Sequence, residues 1–190
     1  MKFKSVLLLG APGTGKTTVG HILDKINRLK HYSNGEELRK QASQQRLDPE
    51  IAKYMNEGQP IPATLLIPEV NKIIGNYIQN GLYDPDHDIL LLDGIPRNEE
   101  QLIEIKKYFD IYKVFIFFVK DDTLALHRIK SKRSEKRLDD ADEQIIKKRK
   151  DVVYKELDSI LSHFEKKQIV NIDSENNTLD QMVTLVKMNI

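Results

Sequence analysis

The chain has 190 residues, 39% of them hydrophobic and 31% charged, with no cysteine and no tryptophan. Thirty basic residues balance 29 acidic ones to a net charge of +1, which argues against a domain built to coat nucleic acid. The missing cysteines exclude a disulfide framework, a thiolate metal site and a cysteine nucleophile, and a chain this long buries enough surface to fold without such staples.

The first segment, MKFKSVLLLG, puts two lysines before a short apolar run. That run leads into a glycine-rich motif, not into the small-residue cleavage site of a signal peptide. No apolar stretch approaches the ~20 residues of a membrane span, so a soluble, cytoplasmic protein is expected. Val6–Leu9 reads as a buried strand and Thr17–Arg28 as an amphipathic helix, followed by a short strand at Leu29–Tyr32. Residues 33–81 hold several helices, far more than an ordinary crossover, ending in Ala63–Asn80 with its Asn-Gly stop. Strands are expected at Ile89–Leu92, Val114–Val119 and Gln168–Ile172, and helices at Asn98–Tyr108, Glu143–His163 and Thr178–Met188. Apolar runs without alternation suit strands covered on both faces. The rhythm predicts a doubly wound α/β domain, with residues 33–81 and the polar segment 131–142 rising as covers over the carboxyl ends of the strands.

The chemistry starts at Gly10-Ala-Pro-Gly-Thr-Gly15-Lys16-Thr17, a complete G-x-x-x-x-G-K-[ST] motif after a strand and before a helix. Its glycines let backbone N–H groups wrap a phosphate at a helix N-terminus. Lys16 would place a charge on the β/γ-phosphates, and Thr17 could offer its hydroxyl to Mg²⁺. A nucleoside triphosphate is therefore expected, with Gly13, Thr14, Gly15, Lys16, Thr17 and Thr18 around it. The fate of the γ-phosphate is left open by this motif alone. A second motif, Asp93-Gly-Ile-Pro-Arg97, ends a strand in an acid placed to hold a metal through water, then turns to an arginine suited to a bidentate phosphate contact.

Gly10–Thr18, Tyr32-Ser-Asn-Gly-Glu-Glu-Leu-Arg39, Asp93–Arg97 with Gln101, and Arg137-Leu-Asp-Asp140 before Arg149 occur in one order. This order resembles that of the adenylate kinases, within the nucleoside monophosphate kinase family, over nearly the whole chain. The resemblance implies Mg-dependent transfer from ATP to AMP, giving two ADP, on a five-stranded parallel sheet. It implies one domain with a core (1–32, 82–130, 143–190), a monophosphate-binding insert (33–81) and a short lid (131–142), working as a monomer without nucleic acid or membrane. By the same resemblance Arg39 and Arg97 hold the AMP phosphate, Arg128 covers ATP, and Arg137 and Arg149 close on the transferred group. Gln59, Ile61 and Gly94 flank the acceptor, and Ser174, in the turn after Ile172, flanks the ATP base. Gln101 would read adenine through its amide.

Some positions depart from the family pattern. Thr17 is followed by Thr18, Asn34 replaces the usual Thr beside the acceptor base, Ile95 replaces Phe, and the lid is short. Three alternatives stay open: a UMP/CMP or deoxynucleotide kinase of the same fold, a low-turnover nucleotide-binding regulator, and a nucleic-acid-binding ATPase, which the charge balance disfavours.

Overall fold

The computed structural model describes residues 2–26, 28–131 and 143–190. In chain order the elements are β1 (Phe3–Gly10), α1 (Lys16–Leu23), β2 (Leu29–Ser33), α2 (Asn34–Ser43), α3 (Pro49–Asn56), α4 (Ala63–Gln79), β3 (Ile89–Asp93), α5 (Glu99–Ile105), β4 (Phe109–Phe118), α6 (Asp122–Ser131), α7 (Glu143–Leu161), a 3₁₀ turn (Lys166–Gln168), β5 (Ile169–Asp173) and α8 (Leu179–Asn189). Every strand pair is parallel, in the order β2-β3-β1-β4-β5.

Alternate residues of the apolar runs feed two separate cores. Leu7 and Leu9 of β1, Leu90 and Leu92 of β3, and Val114 and Ile116 of β4 pack with α4, α5 and α7. Val6 and Leu8, Leu91, and Phe115 and Phe117 face the other way, onto α1 and α8. With helices on both sides, a polar residue on either face would be buried, so the strands read as continuous apolar runs. Leu66, Ile67, Val70, Ile73 and Ile74 fix α4. Their burial holds a helix through Pro68, which lacks one backbone donor.

Two boundaries differ most from the sequence expectation. Helix α1 stops at Leu23, not Arg28, because the Asp24 carboxylate accepts a 2.7 Å hydrogen bond from the His31 backbone N–H and pairs with Lys30 at 3.1 Å. The chain therefore turns at once toward β2, with Arg28 at φ +70°. Strand β4 starts at Phe109, five residues before the expected Val114. Its first half pairs with β1 while β5 begins only opposite Val114, so Asp110 is exposed and the apolar run is broken.

The order of the strands fixes where a ligand can lie. β1 is central, and the strands that follow it are added first on one side and then on the other. Ligands bind such sheets at the carboxyl ends, where the order reverses. Gly10, Ser33 and Asp93 are the carboxyl-terminal residues of β1, β2 and β3.

Candidate active site

At the end of β1 the chain enters the phosphate loop with Gly10 at φ +148°, Gly13 at +83° and Gly15 at +85°. A Cβ at Gly10 would collide with the Phe117 carbonyl of β4, and one at Gly13 would lie 2.5 Å from the Ala125 carbonyl of α6. The loop is thus clamped between β4 and α6, in a conformation only glycine adopts without strain. The Thr14 hydroxyl is spent inside the loop, donating to the Ala11 carbonyl at 2.8 Å. It braces the turn, leaving the backbone to face a phosphate. The Lys16 ammonium lies 3.4 Å from the same carbonyl, and Thr18, at the start of α1, is half-buried.

Thr17 Oγ1 donates to Asp93 Oδ2 at 2.7 Å, joining the first turn of α1 to the end of β3. Asp93 is 2% exposed. Burial pushes its carboxyl up, but His31, the Lys16 charge and the Thr17 hydroxyl outweigh burial and hold it below the ordinary range. Two oxygens of this kind suit Mg²⁺; among the described residues no group of three or more His, Cys, Asp or Glu could hold a metal by itself. His31 Nε2 lies 3.4 Å from Asp93 Oδ2 without an aligned hydrogen bond. Its ring fills the space that a side chain at Gly20 would take. This buried histidine was not foreseen, because nothing in the spacing of the short β2 run marks it.

A cleft opens between these strand ends. Gly10, Pro12 and Lys16 line one side, and Gly58, Gly94, Pro96, Arg97 and Arg149 the other. Val152, Val153, Leu157 and Ile160 add an apolar wall. Arg39 lies over the first turn of α2, where Gly35 makes room for its guanidinium. Arg149 packs its stem on Gly58, close to Gln59. Away from the cleft, Arg128 donates to the Ser174 carbonyl at 2.8 Å, and buried Ser174 has its hydroxyl without a partner. Arg137 and the rest of the 131–142 lid beyond residue 131 lie outside the described residues.

Gln101 departs from the expected geometry. It is fully buried, and its amide is bonded at both ends: Oε1 accepts from the Arg97 backbone N–H and Nε2 donates to the Ile61 carbonyl, each at 2.7 Å. Asn98 caps the same helix through the Gln101 N–H. The amide therefore spans the two walls of the acceptor side instead of standing open to a base.

Comparison with known proteins bears on this arrangement directly. The adenylate kinase family model matches residues 8–169. An adenylate kinase of Sulfurovum sp. (strain NBC37-1) is 31% identical over 193 residues, covering 95% of this chain and 93% of the relative. One from Campylobacter hominis is 27% identical, covering 94% and 91%. One from Mesoplasma florum is 35% identical over a shorter stretch, 66% of this chain and 57% of the relative. The phosphate loop, the acid-to-arginine turn and strands β2, β3 and β4 all fall inside the residues that the family model matches, and the chain belongs to the adenylate kinase family.

Proposed function

We infer that this chain is an adenylate kinase, moving the γ-phosphoryl group of ATP to AMP and giving two ADP, reversibly and with Mg²⁺. One observation carries the reading: the phosphate loop and the Asp93–Arg97 turn face each other across a single cleft. A donor phosphate and an acceptor phosphate can therefore approach without either strand moving.

Gly13, Thr14, Gly15, Lys16, Thr17 and Thr18 bind the triphosphate of ATP, and Arg128 with the Ser174 turn encloses its base. Asn34, Arg39, Gln59, Ile61, Gly94, Arg97 and Gln101 form the AMP side, and Arg137 and Arg149 serve the transferred group. The acceptor oxygen is already ionised, so no general base is needed. Positioning and charge neutralisation supply the rate. Thr17 and Asp93 would hold Mg²⁺, through water, and the ion would supply positive charge against the phosphates. Residues 33–81 and 131–142 act as insert and lid, excluding water when both nucleotides are bound. Among the described residues no helix is long and apolar enough to cross a membrane.

A coupled assay of ADP formation from ATP with AMP, CMP, UMP and dAMP tests the reading. AMP should give the highest kcat/KM. Preference for CMP or UMP would move the chain to the pyrimidine alternative, and absence of turnover with all four would leave a nucleotide-binding regulator.

A further inference from the structure

A histidine outside the cleft joins the helix that opens the donor site to the helix that carries an acceptor arginine. α1 begins with Lys16 and Thr17, and His21 follows Thr17 by one turn, in the last turn of that helix. α2 begins directly after β2, with Glu36 in its first turn and Arg39 three residues on, on the same face. His21 Nε2 lies 2.9 Å from Glu36 Oε2 and 3.2 Å from Oε1. A carboxylate only accepts, so the ring nitrogen is the donor. The His21 side chain is 56% exposed, yet its ring is not loose. It stands edge-on to buried His31, with centroids 4.9 Å apart and planes at 84°. Elsewhere along α2, Tyr77 donates to Glu37 and Gln41 donates to Glu69, each at 2.6 Å. Those bonds run to α4 and stay within residues 33–81. The His21 bond crosses from that segment to the core. The Arg39 guanidinium lies back over Gly35, beside Glu36 in the sequence.

We propose that His21 is a positioning residue for the acceptor phosphate: through Glu36 it draws the first turn of α2 toward α1, and so sets where Arg39 stands relative to Lys16. The proposal rests on the acceptor-side reading of Arg39 given above. An exposed pair between two freely moving side chains contributes little, because both must be ordered to form it. Here the His31 ring already orders one of the two. Glu36 and Arg39 lie on consecutive turns of one helix, which moves as a unit, so a shift at the carboxylate is carried to the guanidinium. The donor side is anchored separately, by the glycine turns between β1 and α1. Loss of the bond should therefore be felt by AMP and not by ATP.

The test compares wild type with His21→Ala, which removes the donor, His21→Gln, which keeps an N–H donor of similar reach, Glu36→Ala, and the double variant His21→Ala/Glu36→Ala. Steady-state kinetics give kcat and the separate KM values for AMP and ATP. Calorimetry gives the Kd for AMP without turnover, and thermal melting is the folding control. His21→Ala should raise the KM and the Kd for AMP about 2- to 5-fold, with kcat and the KM of ATP near wild type. His21→Gln should recover most of that loss. The double variant should lose no more than the larger of the two single losses, because both residues act through one bond. Parallel rises for AMP and ATP, additive losses in the double variant, no recovery in His21→Gln, or an AMP affinity that is unchanged or improved would each overturn the proposal and leave the pair a surface contact. Wild type that neither binds nor phosphorylates AMP would instead defeat the acceptor reading, a result obtained before any variant is compared.

Discussion

At Asp93 two effects oppose each other. Burial disfavours the carboxylate, while His31, Lys16 and Thr17 favour it, and the balance keeps the acid ionised below its ordinary value of 3.8. The sign for stability follows. A folded value below the unfolded one stabilises the fold above the ordinary carboxylate range, and that stabilisation is lost as pH falls through the folded value. Asp93→Asn should flatten the acid limb of the stability-versus-pH curve below about pH 4, as read by urea midpoints, and should lower kcat at pH 7 by about 100-fold or more. Lys16→Ala should also cost about 100- to 1,000-fold in kcat, with thermal melting as the folding control. Near-normal turnover in either variant would remove that residue from the site. Arg97→Ala should raise the KM for AMP far more than that for ATP, since Arg97 lines the cleft with Gly94 and Pro96 on the proposed acceptor side.

Between elements, the first turn of α5 acts as a junction. Glu99 accepts from Ser159 at 2.8 Å and pairs with His163 at 2.6 Å near the end of α7. Glu100 accepts from the Ala63 N–H at the start of α4, and Gln101 reaches Ile61. Gln101→Ala should therefore raise KM for every monophosphate in parallel, with ATP little affected. An effect confined to AMP would show instead that the amide reads the base. α7 also meets the 33–81 segment at Gly58, which has φ +66° and leaves only 3.3 Å between an added Cβ and both Arg149 Cγ and Ile145 Cγ2. Gly58→Ala should cost about 1–2 kcal/mol of stability through its backbone alone, measured by urea unfolding, and should displace Arg149, lowering kcat beyond what the stability loss explains.

For the molecule as a whole, the proposed function requires both nucleotides at once. Arg39 and Gly58 belong to the long excursion between β2 and β3, whereas Lys16 opens α1 just after β1 and Asp93 ends β3. A two-headed ligand, two adenosines joined by five phosphates, should protect residues 33–81 and 131–142 from limited proteolysis together. ATP alone should protect less of 33–81. Protection restricted to the phosphate loop would contradict a two-nucleotide site.

The apolar runs, the glycine spacing of the loop and the acid-to-arginine turn are local patterns. Each is constrained by backbone conformation or by burial on both faces, so the amino-acid order by itself determined the strands, the sheet class and the phosphate loop. It also marked Lys16, Thr17, Asp93 and Arg97 as one chemical group. Side-chain partnerships across the fold follow no such period. The burial of His31 against Asp93, the Thr14 hydroxyl turned into its own loop, the two bonds that occupy Gln101 and the bond from the Tyr32 hydroxyl to Asn34 Oδ1 each join groups to particular neighbours. Only tertiary packing decided them, because a buried polar atom must take whichever partner the folded chain brings within about 3 Å.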